Sequence, residues 1–210
     1  MIKINGNDVF KDNKFDWYSW SADVLQSPAE LREKFDNLPL IGKRIVDLFA
    51  VGEAFKEIGR ENSTGKDIVY IEYIETFHLY ILAFDDGDRC EIFFSETSSV
   101  RMSMNCFPKN LEDIKPLPDM DNGERFISPC VGNRIIDMDI GILNTYPYLE
   151  FTESYGMYLP SDLEGYILYF DFLLDNGLKI RFAAYFDNGD VYILDNLGNS
   201  YWKLEERAES

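Results

Sequence analysis

Histidine is nearly absent from this sequence, and its scarcity excludes a class of catalytic sites. The 210 residues include a single histidine, His78. Most catalytic zinc sites need at least two imidazole ligands, so such a site cannot be assembled within one chain of this kind. His78 lies in a run of β-branched and aromatic residues, where we interpret it as a structural residue. The sequence therefore predicts no histidine-based catalytic or metal centre.

Cysteine is also sparse and shows none of the spacings that bind metals or carry out redox chemistry. The three cysteines are far apart along the chain and include no CxxC pair: Cys90, Cys106 and Cys130. An odd, widely spaced set is typical of reduced thiols that are buried as small apolar side chains in a cytoplasmic protein. A cytoplasmic location is the resulting prediction.

A nucleophilic pair of His78 and Cys90 would need the two side chains within hydrogen-bond reach. If Asp86 and Gly87 form a two-residue turn, Cys90 pairs with Ala83 in the preceding strand. The histidine and the thiol then lie roughly 16 Å apart along the sheet, at ~3.3 Å for each residue step. This register predicts that no such pair forms.

Long apolar runs are missing too. No stretch approaches the ~20 residues that a helix needs to cross a bilayer, and the first twenty residues lack the apolar centre of a signal peptide. The sequence also contains no GxSxG motif, no phosphate-cradling glycine loop and no GxGxxG motif after a strand. Enzymatic activity is therefore unsupported by any motif, although any of the 38 carboxylates could in principle serve as an acid or a base.

Aspartate-rich turns raise the question of a bound cation. The segment from Asp119 to Gly123 resembles the start of an EF-hand loop, but its glycine comes fifth rather than sixth and no flanking helices are evident. Asp and Asn are also the residues that tight turns favour for backbone reasons. We expect neither a metal nor a cofactor.

Positive charge is scarce relative to negative charge. Acidic residues outnumber basic ones 38 to 20, which gives a net charge of −18. Such a charge repels nucleic-acid phosphates and anionic membranes, so neither is an expected partner. It suits either solubility alone or the attraction of a basic protein partner. The sequence leaves the oligomeric state open.

What the chain does contain is a pattern repeated ninety positions apart. Residues 42–47 (GKRIVD) return as residues 132–137 (GNRIID), and residues 84–87 (FDDG) return as 174–177 (LDNG) at the same offset. Strand-forming residues dominate, with 15% aromatic side chains. We predict an α+β fold that is mainly antiparallel β, with two related β-meander units packed as sheets and a short N-terminal helix.

The predicted boundaries follow from helix and turn signals. Ser27 can cap a helix over residues 28–37, with Pro28 at its first position, Glu30 reaching back to the cap, and Pro39 ending it. The divisions are a segment at 1–39, a first β repeat at 40–105 with a helical or looped insert at 52–67, a Pro-rich linker at 106–125, a second β repeat at 126–204, and a tail at 205–210. The repeats are expected to form one compact domain, with turns near 85–88, 175–177, 187–190 and 196–198.

The insert of the second repeat differs most from its counterpart and attracts the functional hypothesis. Between Ile135 and Trp202 there are eleven acidic residues and only two basic ones, Lys179 and Arg181. The insert adds a dense set of tyrosines, which are favoured at interface hot spots. The candidate partner-binding residues are Tyr146, Tyr148, Glu150, Glu153, Tyr155, Tyr158, Asp162 and Glu164. The alternative is that the tyrosines pack inward and the acids only solvate a loop.

These features favour a non-catalytic acidic protein-binding module. The most specific hypothesis is an inhibitor of the immunity-protein type that neutralises a basic partner such as a toxin nuclease, because strong negative charge speeds association with a cationic surface. The alternative is a small-molecule-binding protein or an enzyme that uses carboxylates in a cleft between the two repeats.

Overall fold

Antiparallel strand pairing dominates the structure, as the abundance of β-branched and aromatic residues predicts. A computed structural model describes residues 3–4, 7–8, 10–11, 14–15, 24–25, 27–51, 54–63, 66–76, 79–95, 99–106, 114–120, 123–142, 167–185 and 188–208. These residues form two main antiparallel sheets, two short two-stranded ribbons and one α-helix.

The elements follow one another along the chain in this order: β1 Lys3–Ile4, β2 Asn7–Asp8, β3 Phe10–Lys11, β4 Lys14–Phe15, α1 Pro28–Asn37, β5 Ile45–Val51, β6 Ala54–Ser63, β7 Lys66–Thr76, β8 Leu79–Phe84, β9 Arg89–Ser95, β10 Ser99–Met104, β11 Ile114–Pro116, β12 Ile135–Ile142, β13 Ile167–Leu174, β14 Lys179–Tyr185, β15 Asn188–Leu194 and β16 Lys203–Ala208. A short 3-10 helix, Ser128–Cys130, precedes β12.

The first sheet has the order β10-β9-β8-β5-β11, and the second has the order β12-β13-β14-β15-β7-β16, with β6 paired to β7. Pro116 lies in β11, at the end of the first sheet, where the missing N–H of proline is tolerated. The hairpin of β6 and β7 leaves the first unit and joins the second sheet through β15. The two units therefore share strands.

Helix α1 begins and ends where its sequence signals predict. Ser27 accepts a hydrogen bond from the Glu30 N–H, and the Glu30 side chain accepts one from the Ser27 N–H, which completes the predicted capping box. Leu31 and Phe35, four residues apart on one helix face, are fully buried. Arg32 donates to Asp137 and to the carbonyl of Met138, so the helix is fixed against β12.

Aromatic side chains fill the space between the two sheets. Tyr80 and Phe94 come from the first sheet, and Phe170 and Phe182 come from the second. Ring centroids lie 5.6 Å apart for Tyr80 and Phe182, and 6.0 Å apart for Phe94 and Phe170. Aromatic pairs at this separation add specific attraction to the burial of apolar area. The seam between the sheets is a packed core.

Position 189 in β15 requires glycine, because two core aromatic rings approach its backbone closely. A Cβ at this position would lie 3.0 Å from the Phe94 ring and 3.4 Å from the Tyr80 ring. The Tyr80 hydroxyl donates a buried hydrogen bond of 2.7 Å to the Gly189 carbonyl. Glycine inside a strand often marks such a close approach.

The expected turn at 187–190 is wrong in position, since residues 188–190 already belong to β15.

The hairpin between β8 and β9 also corrects the sequence-based register. Phe84 N–H donates to the Asp88 carbonyl and Gly87 N–H donates to the Phe84 carbonyl, with Gly87 at φ +88°. The loop thus has three residues, because the glycine supplies the left-handed position of a bulged turn. Cys90 consequently pairs with Leu82 rather than with Ala83, and it lies in the apolar core.

Two other predicted segments form strands instead. The first insert, expected to be helical or looped, contains β6, which pairs with β7 along ten residues. The tail expected from residue 205 is part of β16, which pairs with residues 66–70 of β7. The partner of β6 is the next strand in the chain, whereas the partner of β16 lies far earlier, and in both cases strand pairing overrides weak local signals. The predicted turn around Gly198 agrees with the structure.

Reciprocal hydrogen bonds join the two similar sequence segments. Gly42 N–H donates to the Ile135 carbonyl, and Gly132 N–H donates to the Ile45 carbonyl, both at 2.8 Å. Arg44 and Arg134 form an antiparallel bridge between them. Each residue in these two bonds lies ninety positions from its counterpart in the other bond, so the two segments contact each other reciprocally. Descent of the two units from one duplicated unit stays a prediction.

The length and hydropathy of the helices bear on whether one could cross a bilayer. Within the part of the chain that the structure describes, none is both long enough and apolar enough for a membrane span.

Replacing Tyr80 by Phe should destabilise the protein by about 1 kcal/mol, because it removes a buried hydrogen bond and keeps the ring. Chemical unfolding at equilibrium measures the change. Tyr201→Phe is the matched control, since Tyr201 is exposed, and its effect should stay within about 0.5 kcal/mol. Equal effects of the two substitutions would contradict the role assigned to the Tyr80 hydroxyl.

Acid should loosen the attachment of α1 to β12. The Met138 N–H and then Arg32 hold the pKa of the Asp137 carboxyl below its ordinary value. A lowered folded-state pKa contributes stability above the unfolded carboxyl pKa of about 3.9, and this contribution disappears as pH falls through the folded value. Because Asp137 is half-exposed, we expect an effect of less than about 1 kcal/mol.

The measurement is the free energy of unfolding between neutral pH and the acid limit. Asp137→Asn should flatten part of the acid limb, and Arg32→Gln should flatten a smaller part. An acid limb unchanged in Asp137→Asn would show that this carboxylate does not carry the dependence.

Candidate functional site

All eight candidate partner-binding residues lie outside the described residues. They belong to the connection between Ile142, the last residue of β12, and Ile167, the first residue of β13. Ile142 and Ile167 are paired with each other, so the connection leaves and re-enters the second sheet at one point. The strands that hold this point are described in full, and their side chains define what the fold presents next to the insert.

The side of the second sheet that faces away from the core carries a polar and aromatic surface, which we call the outer face. Strand pairing sets two rows of residues side by side across β12, β13, β14 and β15. The rows are Asp139, Asp171, Arg181 and Tyr192, and Gly141, Tyr169, Ala183 and Asp190. Their core-facing neighbours, such as Phe170 and Phe182, are buried. Alternation along each strand thus separates the outer face from the core.

An ion pair lies at the centre of the outer face. Arg181 donates from Nε to Asp171 at 2.7 Å and from Nη2 at 2.9 Å, in the two-pronged geometry that favours an arginine and a carboxylate. The Asp171 side chain is 2% exposed, whereas that of Arg181 is 26% exposed. Burial would lower the pKa of Arg181, but the hydrogen bonds and charge of Asp171 outweigh it and raise that pKa. Arg181 therefore stays charged.

Tyr169 completes this arrangement and depends on a glycine. The guanidinium carbon of Arg181 lies 3.6 Å from the centroid of the Tyr169 ring, a cation–π contact. Gly141 is paired with Tyr169, and a Cβ on Gly141 would overlap the tyrosine ring. The ring covers the glycine, a packing that also stabilises glycine positions in other sheets. The position of the Tyr169 ring over Arg181 therefore depends on the glycine at position 141 and on the strand register that pairs the two residues.

Charge on this side of the protein is negative, because acidic residues outnumber basic ones eleven to two between Ile135 and Trp202. One of the two basic residues between Ile135 and Trp202, Arg181, is neutralised by Asp171. Asp139 and Asp175 are exposed. Asp195 is also kept charged, because the Asn199 side chain and backbone hydrogen bonds lower its pKa. The outer face and its borders thus offer carboxylates to a partner's cationic side chains.

The described thiols are poorly suited to nucleophilic chemistry. Burial raises the pKa of Cys90, with a further contribution from Glu91, and burial also raises the pKa of Cys130 and of Cys106. Protonated thiols are weak nucleophiles and weak metal ligands. His78 lies outside the described residues. Among the residues described, no three His, Cys, Asp or Glu side chains cluster in a way that could hold a metal ion.

Concave surface is found beside α1 rather than between the sheets. An open groove of about 390 Å³ is lined by Val24, Leu25, Glu30, Glu33, Lys34 and Asn37. Ligand sites are usually more enclosed and more apolar than this, with a few convergent polar groups. The seam where the alternative hypothesis places a cleft is filled by aromatic rings among the described residues.

Comparison of the chain with protein-family models, with curated proteins and with solved structures gives no match.

Sequence reasoning missed the outer face, although its signal was present. Tyr169 and Asp171 in one strand, and Asp190 and Tyr192 in another, are spaced two residues apart, as residues on one face of a strand are. Without the register, nothing indicated that these pairs lie next to Arg181. The aspartates near the insert were counted for their charge and not for their position.

Replacing Arg181 by Met should destabilise the protein by about 3 kcal/mol, because the nearly buried Asp171 carboxylate loses its partner. The double variant Asp171→Leu with Arg181→Met should recover most of this loss, since it removes both charges and keeps apolar packing. Equilibrium unfolding of the three proteins measures the effect. A double variant as unstable as the single one would show that the carboxylate is not the source of the cost.

Proposed function

We propose that this protein is a non-catalytic binding protein that recognises a basic protein partner, and most specifically an inhibitor of the immunity-protein type that neutralises a toxin nuclease. The observation that carries the proposal is the charge asymmetry of the second half. The segment between Ile135 and Trp202 contains eleven acidic residues and two basic ones. One acid and one base of this set, Asp171 and Arg181, pair with each other. A surface of this kind attracts a cationic partner over a distance and accepts its Lys and Arg donors.

The proposed binding surface combines the outer face with the insert at residues 143–166. Tyrosine and aspartate on the outer face supply the same chemistry that the insert supplies in its sequence, because Tyr169 and Tyr192 share this face with Asp139. Tyrosine provides a large contact area with little loss of side-chain entropy, and carboxylates around it orient a basic partner. A non-catalytic role agrees with thiols that are held protonated by burial.

We also infer that the two units arose by internal duplication at an offset of ninety residues. The inference is supported by the reciprocal bonds of Gly42 and Gly132 and by bulges at equivalent places, after Ile45 and after Ile135. Asp47 and Asp137 each accept a hydrogen bond from the N–H of the next residue. On this interpretation the shared residues maintain the scaffold, and the second copy carries the partner surface.

The first test identifies the partner. A gene beside that of this protein should encode a large secreted protein with a short, basic, toxin-like C-terminal domain. That domain, purified and assayed as a nuclease, should lose activity when this protein is added. If no neighbouring basic domain is inhibited, the inhibitor function is wrong.

The second test locates the surface. Replacing Glu150, Glu153, Asp162 and Glu164 by their amides should slow association with that domain about tenfold at low salt, with a smaller effect at high salt. Stopped-flow fluorescence measures the association rate.

The matched control removes four charges from the first insert by replacing Glu53, Glu57, Glu61 and Asp67 by their amides. The total charge is then the same in both variants and only the location differs. Equal slowing in the two variants would show that net charge alone steers the partner, and would overturn the assignment of the surface.

A further inference from the structure

Strand β12 lies at one end of the second sheet, so β13 pairs with one of its two sides. The first half of the other side is occupied. Ile135 exchanges two hydrogen bonds with the segment that precedes β5, and the carbonyl of Met138 accepts one from Arg32. Beyond Met138, at residues 139–141, none of the described strands pairs with this side. We call that stretch of β12 the open edge.

Alternation along the strand decides which backbone groups the open edge offers. The N–H and C=O groups of Ile135 point away from β13, since both bond to the segment before β5. Those of Met138 do the same after the bulge, because its N–H donates to the Asp137 side chain. In an antiparallel pair these groups alternate between the two sides from one residue to the next. The N–H and C=O of Ile140 therefore point outward and form a template for a further strand.

The equivalent edge of the first sheet is filled by this chain itself. There β11 pairs with β5 in antiparallel register, with Lys115 opposite Ala50. Ala50 lies ninety positions before Ile140, and β5 and β12 carry a bulge at the same place. The residues ninety positions after β11 belong to β16, which pairs with β7 instead. This scaffold thus accepts a short added strand, and among the described strands none takes that place on β12.

Charge at the open edge is negative after the ion pairs around it are counted. The charged side chains of β12 and β13 are three aspartates: Asp137, Asp139 and Asp171. Arg181 neutralises Asp171, and Arg32 is shared between Asp137 and Asp36. Asp139 is exposed, and no basic side chain in the described ranges pairs with it. A lysine or arginine opposite Asp139 would stabilise an added strand, whereas the β12 of a second copy would bring further aspartates.

We propose that the open edge takes up an extended, basic segment of the protein partner as an added antiparallel strand. This rests on the proposed function and names the part of the partner that is recognised, a run in which lysine or arginine alternates with β-branched residues. Directly opposed residues share one face of a sheet, so the basic residue opposite Asp139 lies on the outer face, which also carries Tyr169. The apolar residue opposite Ile140 exchanges the two backbone hydrogen bonds. Such bonds give affinity in strand addition, and the alternate side chains give specificity.

Amide hydrogen exchange of the full chain, followed residue by residue by NMR, tests whether the edge is open. The Ile140 amide should exchange about a hundredfold or more faster than the Ala50 amide, because the latter is bonded within its sheet. Ala50 is the matched control, since it occupies the equivalent place beside β11. An Ile140 amide as protected as that of Ala50 would mean that this chain or a second copy already fills the edge, and would overturn the proposal.

The probe for binding is a synthetic nine-residue peptide in which lysine and valine alternate. Its addition should slow exchange at Ile140, with half-saturation below about 1 mM. N-methylation of the valines should abolish this protection, because the N–H groups of residues opposite Ile140 face β12. N-methylation of the lysines, whose N–H groups face away, should leave it unchanged. Both methylated peptides carry the same charge, so equal binding of the two would overturn the proposal, as would no protection by the unmodified peptide.

The basic domain encoded beside this protein separates strand addition from the proposed function. In a complex with that domain, the Ile140 amide should become protected. Inhibition of the nuclease while the Ile140 amide stays unprotected would overturn strand addition and leave the inhibitor function intact. Peptide binding at Ile140 without inhibition of any neighbouring basic domain would overturn the inhibitor function and leave recognition of a basic strand intact.

Discussion

The packing of aromatic rings between the two sheets is the contact on which the rest of the structure depends. Tyr80, Phe94, Phe170 and Phe182 fill the seam, and the Tyr80 hydroxyl reaches the Gly189 backbone across it. The described part of this seam is filled with aromatic and aliphatic side chains, as close-packed protein interiors are.

Positions ninety residues apart in the two sheets carry side chains of different chemistry. In the first sheet, Glu91 is fully buried and accepts hydrogen bonds from the Ser103 hydroxyl and the Cys106 N–H. Ninety residues later, the equivalent position holds Arg181, which is paired with Asp171. Opposite charges thus occupy matching places.

Local signals predicted local structure well. The capping box at Ser27 and Glu30 fixed the start of α1, and Gly87 and Gly198 marked turns that need positive φ. The sequence did not reveal that the loop after Phe84 has three residues, and this single-residue difference pairs Cys90 with Leu82 instead of Ala83. Strand β6 was missed because its stability comes from pairing with β7, which composition does not show.

The sequence by itself determined the acidic charge, the strand-rich class, the helix boundaries and the two similar segments, because each depends on residue identity and short spacing. Only the tertiary structure decided which strands share a sheet, which face of each strand is outermost, and which charges meet. Asp171 and Arg181 are ten residues apart in the chain, and their contact depends on the register of β13 and β14. The bridge between Arg44 and Arg134 likewise depends on the hydrogen bonds of Gly42 and Gly132, since long-range pairing brings distant residues together.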